Sequence, residues 1–267
     1  MNVAVITGAA SGIGAGLARE AIARGMHVVL ADRDAQSLNH IAQELGEHAL
    51  AVPTDVTQAA SMENLAEQTY RRFGQVDMLF NNAGVLSTGR SWEICDDKWQ
   101  QAWQVNVNGI IHGLRAFVPR LLQANRAARI INTSSVGGFL PSPLMAPYSA
   151  TKFAVVALTE ALSGELAALN SAIQVSLLAP GPVKTGIFNE APMDASQDFH
   201  QQMRNMLDAH GLDSATFAHR VFDAIAEGAY WIIPQPETLD PLLQARNTRI
   251  AQRQPPVFAW SQESTAA

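Results

Sequence analysis

The chain has 267 residues, 48% hydrophobic and 16% charged, which suits one large buried core better than two small domains. A net charge of −6 with scattered basic residues argues against nucleic acid or an anionic membrane surface as partner. Cys95 is the only cysteine, so no internal disulfide can form, and no apolar stretch approaches the ~20 residues needed to cross a bilayer. The expectation is a soluble cytoplasmic protein, with no room for a signal peptide before the first apolar run.

The first run, 3–6, reads as a strand and leads into Thr7-Gly8-Ala9-Ala10-Ser11-Gly12-Ile13-Gly14, with a helix following over 12–24. Glycines let this turn close tightly and bring backbone near a pyrophosphate, while the helix N-terminus offers unpaired N–H groups. The spacing is G-x-x-x-G-x-G rather than G-x-G-x-x-G. A second strand, 27–31, ends at Asp32, eighteen residues past Gly14. A carboxylate there can accept from both hydroxyls of an adenosine ribose and repel a 2′-phosphate, by ~1–4 kcal/mol per charge pair at about 4 Å. Arg33 stands against that preference, because a guanidinium can stack on adenine or pair with a phosphate.

After a helix over 35–45, the strand at 49–52 delivers Asp55 and Val56, a carboxylate and a backbone N–H suited to an adenine edge. A helix over 58–73 and a strand over 77–80 lead to Asn81-Asn82-Ala83-Gly84, a small-residue turn that lets backbone approach a sugar. One long helix, 97–124, carries Asn106. The strand at 129–133 ends at Ser134 and Ser135. A helix over 148–169 then opens with Tyr148 and Lys152, four apart and so on one helical face. An ammonium beside a phenol favours the phenolate, which would bring a pKa near 10 toward the working range of an acid or base.

The strand at 173–178 runs into Pro180-Gly181-Pro182-Val183-Lys184-Thr185. Beyond it, 186–213 reads as a loose segment, 214–227 as a helix and 230–233 as a last strand. A tail from 234 to 267 carries a helix beginning at Asp240-Pro241 and running through Arg253. Strand–helix alternation of this kind predicts a doubly wound parallel sheet with helices on both faces, in one α/β domain. Ligands bind such sheets beyond the carboxyl ends of the strands, where the chemistry-bearing residues fall.

With these motifs in order over about 1–185, the sequence resembles the short-chain dehydrogenase/reductase (SDR) family. The resemblance implies a Rossmann-type domain binding NAD, with NADP as the alternative, and hydride transfer between that cofactor and a secondary alcohol or ketone. It implies a cofactor site built from Gly8, Ser11, Gly12, Ile13, Gly14, Asp32, Arg33, Asp55, Val56, Asn82, Ala83 and Gly84. Pro180, Gly181, Val183 and Thr185 would hold the nicotinamide end. Tyr148 would be the acid or base, and Lys152 would lower its pKa and hold the nicotinamide ribose. Ser135 would orient the substrate oxygen, with Ser134 structural, and Asn106 would anchor a water linking Lys152 to solvent. No metal is implied, since no ligand cluster occurs at site spacing.

For the small-molecule substrate, 139–147 with Met145 predicts one apolar wall, and Phe188, Met193, Phe199, Met203 and Met206 the other. These residues equally suit packing the segment down on the core. An apolar or aromatic alcohol of moderate size is expected. Family likeness implies a homodimer through helices 97–124 and 148–169, or a homotetramer, which the tail puts in doubt. Two other readings stand beside this one: an NADP-linked biosynthetic ketoreductase, and a non-catalytic nucleotide-binding regulator.

Overall fold

Short runs of Val, Ile, Leu and Ala extend because their side chains bury on both faces of a sheet. In the computed structural model, residues 2–193 and 196–258 are described. Their strands are β1 (Val3–Thr7), β2 (His27–Asp32), β3 (Ala49–Pro53), β4 (Met78–Asn81), β5 (Ala128–Thr133), β6 (Ile173–Leu178) and β7 (Trp231–Ile232). They form one seven-stranded sheet in the order β3-β2-β1-β4-β5-β6-β7, parallel throughout. The fold is the Rossmann-like doubly wound sheet that the alternation predicts.

Strand alternation divides the core in two. Ala4, Ile6, Val28 and Leu30 face α1 (Gly12–Ala23) and α8 (Ser214–Ala226), meeting Leu17, Phe217 and Val221. Val3, Val5, Val29 and Ala31 face α3 (Ala59–Phe73), α5 (Gly109–Ala124) and α6 (Ala146–Ala168), meeting Leu65, Phe117 and Leu162. Burying each large side chain contributes ~1.5–3 kcal/mol. Polar side chains fix two helix starts. Asp34 accepts from the Ser37 N–H at the start of α2 (Ala35–Leu45), and Asp213 accepts from the Thr216 N–H at the start of α8. β1 pairs with β2 on one side and β4 on the other, so strand order reverses there and a crevice opens beyond Thr7 and Asn81.

Four expectations are corrected. The helix expected over 97–124 is α4 (Asp96–Trp103), then a π-helical turn at Gln104–Asn108, then α5. The segment 186–213 is not a loop: Gln197–His210 forms α7, whose Phe199, Met203, Met206 and Leu207 follow helical spacing. The last strand contributes only Trp231–Ile232. The tail helix α9 spans Pro236–Ala251, with Pro236 in its first turn and Pro241 inside it. The rule that places proline at a helix start holds, but for the earlier proline. The expected tail beyond residue 258 lies outside the described residues. Among the described residues, no helix is long and apolar enough to cross a membrane.

Candidate active site

Every strand except β7 ends on one crevice. A cavity of about 860 Å³ is lined by all the expected catalytic and cofactor-binding residues except Asn106. Its floor is two turns stitched together. Thr7 Oγ1 accepts from the Asn82 and Ala83 N–H groups at 2.9 and 3.1 Å, and Asn82 Nδ2 donates to the Thr7 carbonyl at 2.9 Å. Gly8 has φ +67°, and a Cβ there would lie 2.9 Å from Ala83 Cα, so the turns meet at a distance only glycine permits.

Helix α1 begins on the cavity wall at Ser11 and Gly12, with no side-chain cap and no acidic residue in its first turn. Its first N–H groups are therefore suited to an anion. The half-buried Asp32 is held by the Ala10 N–H on Oδ2 at 3.1 Å and the Asp34 N–H on Oδ1 at 3.0 Å. Beside it Arg33 is exposed on the cavity rim. Asp55 and Val56 close the same end, Asp55 Oδ1 accepting from the Thr57 N–H at 2.9 Å and hydroxyl at 2.8 Å.

At the other end, Ser135, Tyr148 and Lys152 converge, each more than nine-tenths buried. Ser135 Oγ accepts from the Gly137 N–H at 3.0 Å and reaches the Tyr148 phenol. Lys152 Nζ donates to the Thr133 carbonyl at 2.9 Å and lies 5.6 Å from the Tyr148 ring centroid. Ser134 points elsewhere: its hydroxyl donates to the Lys152 carbonyl at 2.9 Å. Burial pushes the Tyr148 phenol up from its ordinary value, while its hydrogen bond to Ser135 pulls it down. Burial also lowers the Lys152 ammonium to about 8. The expected lowering of Tyr148 is not seen in this structure, where burial is the larger influence and the Lys152 ammonium donates to a strand-end carbonyl.

Asn106 sits in the π turn, fully buried and outside the cavity lining. Its Oδ1 accepts from the Val85 N–H at 2.8 Å, and its Nδ2 donates to the Val85 carbonyl and Thr151 Oγ1, both at 3.0 Å. All its side-chain polar atoms are engaged in joining the 84–86 turn to α6.

The short chain dehydrogenase family profile matches residues 2–196. The chain belongs to the short-chain dehydrogenase/reductase family. It is 32% identical over 266 residues to a CLA biosynthesis dehydrogenase/reductase of Lactiplantibacillus plantarum, covering 93% of each chain. It is 38% identical over 204 residues to a 1-deoxy-11-beta-hydroxypentalenate dehydrogenase of Streptomyces exfoliatus, covering 74% of each. An SDR structure from Burkholderia phymatum, in complex with NAD, superposes with a TM-score of 0.92 at 36% identity, covering 96% of each chain. The protein is thus an oxidoreductase of this family.

In this SDR the residues present fit a nicotinamide dinucleotide: an uncapped helix start on the cavity wall, a strand-end carboxylate eighteen residues beyond Gly14, and a buried polar group at the far end. Leu140, Ser142 and Met145 line the cavity on one side, and Phe188, Met203, Met206 and Leu207 on the other. Two expected wall residues lie elsewhere. Met193 packs against Gly89, and Phe199 joins the cluster beneath α7. From the apolar run, Phe139 turns away onto Trp231, ring centroids 5.8 Å apart. Sequence reasoning missed Leu86 and Leu207, although Leu86 follows the Asn-Asn-Ala-Gly turn by two residues. Among the described residues no cluster of His, Cys, Asp and Glu could hold a metal.

Proposed function

We propose that this SDR is a cytoplasmic, NAD-dependent oxidoreductase that interconverts a secondary alcohol and its ketone, the substrate being apolar or aromatic and of moderate size. The observation that carries the reading is the convergence of Ser135, Tyr148 and Lys152 on one end of the cavity whose other end presents Asp32. Bound along the cavity, the nicotinamide supplies the hydride acceptor or donor.

The chain's own residues do the rest. Tyr148 transfers the proton at its phenol oxygen, taking it from the alcohol in oxidation and giving it to the carbonyl in reduction. Ser135 donates to the same substrate oxygen and fixes its place beside the phenol. Lys152 supplies positive charge that favours the phenolate as substrate binds, and it reaches the nicotinamide ribose. Asn106 acts as a positioning residue, since its amide holds Val85 and Thr151. Gly8, Ser11, Gly12, Ile13 and Gly14 cradle the pyrophosphate; Asn82, Ala83 and Gly84 floor the sugar. Val183 and Thr185 orient the carboxamide. Met145 and Phe188 contact the substrate from opposite sides, and exclude water as they do so.

Asp32 favours NAD. Arg33 supports a second reading, an NADP-linked ketoreductase, because it lines the cavity beside the adenosine end and its guanidinium makes no hydrogen bond or ion pair among the described residues. One relative is named as a dehydrogenase of a hydroxylated pentalenate, which supports an alcohol as the substrate of this reading. The reading includes one domain, and a homodimer for which Trp103 and Leu122 supply exposed apolar surface on α4 and α5. The test is reduction of NAD and NADP across secondary alcohols graded from small aliphatic to bulky aryl. Turnover of the bulky alcohols with NAD is expected. Faster turnover with NADP would replace the cofactor assignment, and confinement to small charged alcohols would remove the substrate assignment.

A further inference from the structure

The start of the tail touches the site from behind. Gln235, just before α9, is only 3% exposed although polar, and its Nε2 donates to the Pro182 carbonyl at 2.8 Å. The same carbonyl accepts from the Leu212 N–H at 3.0 Å. Pro182 is the residue before Val183, which pairs with Leu212, while the Lys184 N–H donates to the Leu212 carbonyl at 2.9 Å. The 180–185 turn is therefore gripped from behind by two segments, the link before α8 and the start of α9, while its front lines the cavity.

Gly181 shows how close the grip is. A Cβ there would lie 2.8 Å from Gln235 Oε1 and 3.0 Å from Thr238 Oγ1. The gripping segment is itself fixed. Thr238 Oγ1 donates to the Gln235 carbonyl at 2.8 Å, Arg220 Nη1 donates to the Pro234 carbonyl at 2.8 Å, and Leu239 is fully buried. Gln235 Oε1 has no hydrogen-bond partner among the described residues. A buried amide with one oxygen unpaired is a costly way to fill space. What the amide adds over an apolar side chain of its size is the one bond to the turn.

We propose that Gln235 is a positioning residue for the nicotinamide end of the cofactor: it sets the depth of the Pro182 carbonyl, and with it Val183 and Thr185. The inference rests on the cofactor reading above. It gives the tail a part in the site: the first turn of α9 is the back wall of the turn that receives the reactive ring.

The test compares two ligands that differ at that end, NAD and ADP-ribose, which lacks the nicotinamide. Binding to the full chain is measured by calorimetry for the unaltered protein and for Gln235→Met, which keeps the bulk and removes the donor. NAD is expected to weaken about tenfold, the size of one lost hydrogen bond, with ADP-ribose within about twofold. Equal weakening of both ligands, or of neither, would overturn the proposal. Failure of the unaltered chain to bind either ligand would remove the cofactor reading and this inference with it. A second measurement needs no variant. Hydrogen exchange in 180–185 and in 232–240 should both slow with NAD and not with ADP-ribose. Protection of 180–185 alone would show that the tail does not share the load, and would overturn the proposal independently.

Discussion

Adjacent serines at the end of β5 show how one position of difference separates a structural group from a reactive one. Successive residues in an extended chain point to opposite sides. Ser134 accordingly turns back to the α6 main chain, and Ser135 turns into the cavity toward Tyr148. The proposed roles make distinct predictions. Tyr148→Phe removes the only phenolic proton at the site and should lower kcat by about 10²–10⁴, with NAD affinity retained. Ser135→Ala removes one donor to the developing charge and should lower kcat by about 10²–10³. Ser134→Ala should leave kcat within a few-fold and instead lower the melting temperature, because a buried carbonyl loses its donor. Steady-state kinetics beside thermal melts of the three variants check this. A Ser134→Ala enzyme as slow as Ser135→Ala would show that the serines had been assigned the wrong way round.

Among the elements, legibility followed the range of the interactions. Buried strands were readable because a short apolar run without polar alternation has few other uses, and the turns after them carry glycine, asparagine and proline for backbone reasons. The cavity floor followed from strand ends, and its far end from Tyr148 and Lys152 spaced four apart on a helix together with the family resemblance. The π turn at Gln104–Asn108 was not readable: it inserts an extra residue into a turn without any distinguishing composition. Helix α7 was missed because its surroundings are rich in breakers, although Phe199, Met203, Met206 and Leu207 carry the i, i+4, i+7, i+8 signature. Gln235 gave no signal either, since its partner lies fifty-three residues away. Recognising α7 as a helix sharpens the substrate prediction, because it places Met203 and Met206 a turn apart on one face of a rigid wall. Met206→Ala should raise the KM for bulky apolar alcohols about tenfold, matching roughly half the burial of one such side chain. Small aliphatic alcohols, too short to reach α7, should keep their KM. A uniform rise across the panel would mean that α7 shapes the cofactor site rather than the substrate wall.

For the molecule as a whole, the site is a place where stability is given up. Lys152 is buried with its ammonium lowered to about 8, from 10.5 in an exposed lysine. Between those values the unfolded chain binds more protons than the folded one, so this group makes stability rise with pH. The destabilisation is fully present below about pH 8 and fades as pH climbs toward 10.5. Tyr148 does not offset it in that range, because its pKa is raised and it acts in the opposite sense only above about pH 10, where an unfolded tyrosine ionises. Lys152→Met should therefore make the protein more stable at pH 7 while abolishing turnover. Removing the buried ammonium relieves a penalty of about 3 kcal/mol. Losing the hydrogen bond to the Thr133 carbonyl takes back ~1 kcal/mol. The net ~2 kcal/mol corresponds to a rise of about 4–8 °C in melting temperature for a chain of this size. Melts of both proteins at pH 7 and pH 9.5 check the sign and the cause together. The gain should be largest at pH 7 and shrink at pH 9.5, where the native lysine is already neutral. A variant that melts lower at pH 7 would mean that the bond to Thr133 is worth more than the buried charge costs.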